Sequence, residues 1–405
     1  MHAALERLAG TGPDLLINGC TLAQLTLRAG QTPFYAYDRS LISQRVDQLR
    51  AALPARVEIH YAIKANPMPA VVQWLAGLVD GLDVASLGEL QRALDSGVPA
   101  AEISFAGPAK TDRELAAAIA SGVLINVESI GELNRIRALA QIQERQAQIA
   151  LRVNPDFELK SSGMKMGGGA KPFGIDAEQI PGILDALRSG AVQLRGLHIF
   201  SGSQNLREEA IIEAQTQTLD LAERLTGYWG KPFEVLNIGG GLGIPYFPHE
   251  KPLNLDDLGQ RLGELIEQHA GWLGTTRLIM ELGRYLVGEA GYYVCRVLER
   301  KESRGQVFLI CDGGLHHHLA NSGNFGQVLR KNYPVVIGNK LHAADTELVS
   351  AHGPLCTPLD ILADRVELPT AEPGDWLVVL QSGAYGPTAS PAGFLGHPTP
   401  VEMLV

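Results

Sequence analysis

The sequence predicts a closed (β/α)8 TIM barrel joined to a β-rich domain, and three observations predict it. Eight short β-branched runs between residues 57 and 284 alternate with helical patterns, which argues for βα units around a parallel sheet. After 284 the pattern changes to β-rich runs punctuated by Gly and Pro. A chain of 405 residues also exceeds one ordinary core. The expected division is a barrel over 40–285 and an antiparallel β-domain built from 1–39 and 286–405.

In order, the barrel runs are VEIHYAIK (57–64), GLDVAS (81–86), ISFAG (103–107), VLINVES (123–129), IALRVN (149–154), LRGLHIF (194–200), FEVLNIG (233–239) and RLIMELG (277–283). Ahead of the first strand, Leu41, Ile42, Val46, Leu49 and Leu53 recur at spacings of three and four, so SLISQRVDQLRAAL reads as a helix capped by Ser40 or Asp38. The longer segment 155–193 holds SSGMKMGGGAKPFGI, which reads as a loop, with a phosphate cradle as the sharper alternative. The β-domain runs are TPFYAYD (32–38), YYVCRVLER (292–300), QVFLICDGG (306–314), YPVVIG (333–338) and DWLVVLQSGAY (375–385).

Composition narrows the partners. Hydrophobic residues make up 45% and charged residues 19%, an ordinary globular balance, and the net charge of −10 disfavours nucleic acid or an anionic membrane. Small molecules are the expected partners. Cys20, Cys295, Cys311 and Cys356 have no CxxC or ladder spacing, so neither a metal site nor a disulfide framework is indicated, and a reducing compartment fits. With no signal-peptide pattern and no apolar run approaching the roughly 20 residues that span a bilayer, a cytoplasmic protein is expected.

In a parallel barrel the chemistry lies at the C-terminal strand ends, and here those ends are polar. The first ends at Lys64, the second carries Asp83, the fifth Arg152, and the sixth His198 and Phe200 before Ser201–Gly202–Ser203. The seventh runs into Gly239, Gly240 and Gly241, and the eighth presents Glu281 before Gly283 and Arg284. Lys64 reads from its motif as an ordinary strand-end lysine reaching water, with an amine drawn into a cleft to attack an aldehyde as the sharper alternative. The glycines let backbone N–H groups approach a phosphate, or simply make a tight turn, and Arg284 supplies a cation for a phosphate monoester. Lysine, carboxylate and phosphate anchor together are what pyridoxal 5′-phosphate (PLP) needs.

These motifs resemble those of the fold-type III PLP-dependent decarboxylases, the group of diaminopimelate and ornithine decarboxylases, whose architecture is alanine racemase-like. HYAIKAN (60–66) resembles the Schiff-base motif, DVASLGEL (83–90) the second-strand motif, GLHIFSGSQ (196–204) the sixth, LNIGGGLGIPY (236–246) the glycine loop and MELGR (280–284) the glutamate–arginine motif. GPLCTPLD (353–360) resembles the catalytic cysteine motif and SGAY (382–385) the tyrosine near the phosphate. The resemblance implies that Lys64 is the Schiff-base lysine and Glu281 the partner of the pyridine nitrogen. It further implies that Ser203, Gly239, Gly240, Gly241, Arg284 and Tyr385 hold the phosphate, that Asp83 and Arg152 line the ring, and that Cys356 returns the proton after loss of carbon dioxide. A homodimer with shared sites is implied as well.

Three positions depart from the pattern. Phe200 stands where relatives usually stack a histidine on the cofactor, while His198 matches an accessory position, leaving open which of the two faces the ring. Thr357 follows Cys356 where relatives have the Asp or Glu that meets the far ammonium of the substrate. Losing a buried carboxylate partner for a cation costs about 3–5 kcal/mol, which argues against a free diamino acid. The third is the substrate wall, where Phe394–Leu395 stand in place of the aromatic–Asn pair that relatives often have and His397 in place of their Arg. The chain is similar in these respects to relatives that act on an aminoacyl group tethered to a carrier protein and to those associated with exopolysaccharide and exosortase systems. The expected activity is therefore decarboxylation of an α-amino acid or tethered aminoacyl group, with an amino-acid racemase or a non-catalytic PLP-binding homologue as alternatives.

Overall fold

The computed structural model describes residues 3–8, 11–157, 164–165, 167–187, 192–323 and 330–405. The chain divides into two compact units, one of 44–244 and 253–285 and the other of 1–43, 245–252 and 286–405.

The first unit is a closed barrel of eight parallel strands: β1 (Val57–Ala62), β2 (Gly81–Val84), β3 (Ile103–Phe105), β4 (Leu124–Val127), β5 (Ala147–Asn154), β6 (Val192–Ile199), β7 (Val235–Gly240) and β8 (Arg277–Leu282). Each pairs with the next, and β8 returns to β1 with Glu281 opposite His60. The strands are buried along nearly their whole length because a parallel sheet has its interior on one face and helices on the other. The intervening helices start where the sequence offers a cap. Ser86 accepts from Glu89 N, Ser129 from Glu132 N and Asn254 from Asp257 N, and Thr111 with Glu114 forms a reciprocal capping box. At the N-terminal strand ends, Arg277 binds Glu58 at 2.6 Å and also Glu102, closing that mouth with charge.

The register is broken where the site is built. Between Asn237 and Gly240 the β7–β8 pairing shifts, and Gly239 takes φ = +70° in the irregularity. A non-glycine side chain there is strained, so the glycine allows the strand to turn outward. Asp38, rather than Ser40, caps the helix Arg39–Ala52, accepting from Ser40 N at 2.8 Å.

The second unit is built around the long strand Gly291–Ser303, which pairs antiparallel with Phe34–Tyr37, Trp376–Val379 and Gln306–Cys311. Arg304 and Gly305, both at positive φ, form the two-residue turn of that last hairpin. The sheet is mixed and corrects the antiparallel expectation: Gln306–Cys311 runs parallel to Thr346–His352, and Phe34–Tyr37 parallel to Val401–Leu404. Parallel pairing follows wherever the chain crosses over before rejoining the sheet, which short hairpin reasoning does not anticipate. Strands Thr346–His352 and Ile361–Pro369 were not among the sequence-derived runs, since their charged, half-exposed faces dilute the apolar alternation. Among the described residues no helix is long and apolar enough to cross a membrane.

Candidate active site

Lys64 leaves the end of β1 in a single 3-10 turn, Ile63–Ala65, whose other two residues are buried. Its own side chain is 44% exposed and its Nζ lies 3.7 Å from Glu281 Oε1. The same Nζ stands 6.0 Å from the centroid of the Phe200 ring. An amine, a carboxylate and an aromatic face therefore converge at the C-terminal end of the barrel.

Glu281 is buried, and its other oxygen, Oε2, lies 3.2 Å from His198 Nε2. Burial alone would raise this carboxyl, but the His198 ring, the Lys64 ammonium and the more distant Arg152 outweigh it and hold Glu281 well below the ordinary carboxylate range. His198 is buried and its Nδ1 has no hydrogen-bond partner among the described residues. It thus stands against the carboxylate, while Phe200 is the aromatic that the lysine faces.

Arg152 is fixed from behind. Glu128, at the end of β4, binds its guanidinium at 2.8 Å, and the Phe173 ring lies 5.1 Å from Arg152 Cζ. Glu128 is pushed up by burial but pulled further down by Arg152 and Lys110, so it stays ionised. Sequence reasoning passed over Glu128, although it sits at a strand end like the residues that were singled out. Lys110 in turn pairs with Glu132 at 2.8 Å, both ends fully enclosed.

Asp83 is buried below this layer, where it accepts from Ser104 Oγ at 2.5 Å and lies 3.4 Å from His60 Nδ1. Burial opposes protonation of His60, but Asp83, helped by Glu58 and Glu102, more than offsets it and raises His60 above the ordinary imidazole value. The Asp83 Oδ2 atom has no hydrogen-bond partner among the described residues.

The glycine loop is cut to fit its surroundings. A Cβ on Gly240 would meet Glu281 O at 2.1 Å, and one on Gly241, at φ = +71°, would meet Gly202 O at 2.1 Å. That places Gly241 against Gly202–Ser203, so Ser203 and the loop share one edge of the site. The Gly239 N–H donates to Asn237 Oδ1 at 2.8 Å. Arg284 is half-buried and opens the short helix Arg284–Val287 that follows β8. Of the loop SSGMKMGGGAKPFGI (161–175), residues 161–163 and 166 lie outside the described residues, and the longer segment that holds it goes on into the helix Ile180–Ala186.

The remaining sequence-derived candidates lie in the second unit. Cys356 is exposed in the loop Gly353–Asp360. The Thr357 hydroxyl accepts Leu359 N–H at 3.3 Å and so shapes that loop. Phe394 is 44% exposed in the turn Phe394–Gly396, and Tyr385 is half-buried at φ = +54°.

The barrel residues suit PLP by their own chemistry. An accessible lysine faces a carboxylate that stays ionised, an aromatic ring flanks it, and a glycine edge without side chains lies beside a serine.

Comparison with known proteins agrees. Residues 39–288 match the family model "Pyridoxal-dependent decarboxylase, pyridoxal binding domain". The chain is 39% identical over 380 residues to the L-glutamyl-[BtrI acyl-carrier protein] decarboxylase of Niallia circulans, covering 92% of this chain and 89% of that one. It is 33% identical over 395 residues to the diaminopimelate decarboxylase of Aquifex aeolicus, covering 97% and 90%. Among solved structures, the diaminopimelate decarboxylase of M. jannaschii superposes with a TM-score of 0.89 at 29% identity, covering 97% of this chain and 91% of that one.

Proposed function

This chain belongs to the pyridoxal-dependent decarboxylase family and uses PLP, and we propose from that premise that its substrate is an α-aminoacyl group whose far end carries no free ammonium, presented on a carrier protein. Bound PLP supplies an aldehyde for the substrate amine and a ring that accepts the electron pair left when carbon dioxide departs.

In this reading Lys64 would hold the cofactor through its aldehyde and leave it open to the substrate amine. Glu281 stays ionised and keeps a proton on the pyridine nitrogen, with His198 held against its far oxygen. Phe200 flanks the ring, and Asp83 and Arg152 line it. Ser203, the Gly239–Gly241 edge, Arg284 and Tyr385 take the phosphate. Because Gly239 N–H already serves Asn237, Gly240 and Gly241 are the loop positions expected to donate. Cys356 returns the proton to the decarboxylated carbon, and the chain acts as a homodimer in which Cys356 of one copy serves the barrel of the other.

The substrate reading rests on one observation. Asp360 is the only acidic residue in the Cys356 loop, and it is buried with both oxygens taken by backbone N–H groups of Leu315 and Leu355. No carboxylate in that loop is available for a distal ammonium. The relative from Niallia circulans, named for a carrier-bound glutamyl group, supports the same reading.

The test is a panel of amino acids, free and carrier-tethered, incubated with PLP-loaded protein while carbon dioxide release is measured. Preference for a tethered aminoacyl group is expected. Preference for free diaminopimelate overturns the substrate assignment.

A further inference from the structure

Asp360 closes the loop that carries Cys356. Its Oδ2 accepts Leu355 N–H at 2.8 Å, its own N–H donates to Thr357 O at 3.3 Å, and its carbonyl accepts Gly353 N–H at 3.0 Å. Three bonds thus tie the eight residues 353–360 into a compact turn with the exposed cysteine at its tip.

The fourth bond leaves the loop. Asp360 Oδ1 accepts Leu315 N–H at 2.6 Å, joining the turn to the Gly314–Leu315 backbone that leads into His316. Two glycines make room for the carboxylate. A Cβ on Gly314 would lie 2.2 Å from Oδ1, and one on Gly353 2.3 Å from Oδ2. A buried carboxylate receiving a backbone N–H on each oxygen is geometrically fixed, and losing either acceptor leaves a buried donor unsatisfied.

We propose that Asp360 is the positioning residue for Cys356: it ties the Cys356 loop to the backbone entering His316 and so sets where the thiol stands. The inference rests on the reading of Cys356 as proton donor for its catalytic consequence, though the positioning itself does not depend on that reading. Burial pushes the Asp360 carboxyl upward while the two N–H bonds pull against it, as expected of a group kept for geometry.

The experiment compares Asp360→Asn, Cys356→Ala and Asp375→Asn in the full chain loaded with PLP. Asp375 is a buried carboxylate of the same domain that accepts Glu372 N–H at 2.8 Å and Asn339 Nδ2–H at 2.7 Å, so it controls for loss of a structural acceptor. In Asp360→Asn the amide can accept only on one side, so kcat should fall about 10- to 100-fold with KM little changed, as for a displaced reacting group. The rate of Cys356 alkylation by iodoacetamide, followed against pH on the same PLP-loaded protein, should also change by at least about threefold. Asp375→Asn should lower the melting temperature and alter neither.

Should Asp360→Asn not fold, Gly353→Ala keeps the charge but drives a methyl against the carboxylate, and it should show the same signature. Alkylation of Cys356 in either variant at the wild-type rate and pH profile overturns the positioning role. If Cys356→Ala instead keeps the wild-type kcat, the proton-donor assignment falls while the alkylation result still decides the role of Asp360.

Discussion

Lys64 Nζ and Glu281 Oε1 stand 3.7 Å apart at the ends of neighbouring strands, an accessible amine beside a buried carboxylate that remains charged. The barrel sets this distance, because Glu281 lies opposite His60 in the β8–β1 register and Lys64 follows four residues later in the turn that β1 enters. Lys64→Ala should therefore abolish the cofactor absorbance near the visible edge. Glu281→Gln should keep that absorbance while lowering kcat by at least about 100-fold, since a neutral amide cannot hold the pyridine proton. Spectra and turnover of the two variants check this directly.

Gly241 tests the phosphate edge. A methyl there would sit 2.1 Å from Gly202 O on a residue already at φ = +71°, so Gly241→Ala forces either the glycine loop or the Ser203 segment to move. Overpacking of this kind costs about 1–3 kcal/mol, which corresponds to roughly a 5- to 150-fold weaker hold on the cofactor if the whole cost falls on the bound state. Equilibrium titration with PLP, read by absorbance, gives the affinity.

Glu128 and Arg152 form a buried pair at 2.8 Å, and Glu128→Gln leaves the guanidinium without its counterion. Removing one partner of such a pair destabilises by about 3–5 kcal/mol. The folded-state pKa of Glu128 is depressed, so its contribution is present above the ordinary carboxylate value and is lost as pH falls through the depressed one. The stability gap between wild type and Glu128→Gln should accordingly be widest near neutrality and close in acid, measured by urea unfolding from pH 7 to pH 3.

The histidine run supplies a second pH dependence of different origin. Burial lowers His316 to about 3, His317 to about 4 and His318 to about 3. These imidazoles are neutral when folded and take up protons on unfolding below the ordinary value of 6.5, so their stability is complete above 6.5 and drains away as pH falls toward the depressed values. Each contributes a slope of up to about 1.4 kcal/mol per pH unit near pH 5. His318→Gln, which keeps a polar group near Ser382 Oγ, should flatten the unfolding free energy between pH 6 and pH 4 by about one such increment.

How much of this was legible in the sequence differs between the two units. The barrel was, because parallel strands buried on both sides leave continuous β-branched runs, and the rule that chemistry sits at strand ends then picks out Lys64, Glu281 and the glycine loop. Their mutual arrangement was not. Nothing in sequence spacing places His198 behind Glu281, since their strands are separated by β7 and the two side chains meet across the barrel interior, and nothing marks Glu128 as the partner of Arg152, since the register of neighbouring parallel strands β4 and β5 is not written in local spacing. In the β-domain the parallel pairings and the inward turn of Asp360 also depend on crossovers that local patterns do not encode.

Thr357 carries the sharpest expectation about substrate choice. Its hydroxyl serves Leu359 N–H within the loop, and the loop's one carboxylate is turned inward, so a substrate with a far ammonium finds no counterion there. Thr357→Asp puts a carboxylate at the position where the family motif leads one to expect it, and a short carboxylate can still accept the Leu359 N–H. The variant should gain at least about tenfold in kcat/KM on a free diamino acid, equivalent to about 1.4 kcal/mol of new transition-state binding. On a tethered aminoacyl substrate without an ammonium the same change should be neutral or harmful, because it leaves a carboxylate desolvated against an uncharged chain. Carbon dioxide release from both substrates by wild type and variant measures the exchange; a variant that gains nothing on the diamino acid places the selectivity outside this loop.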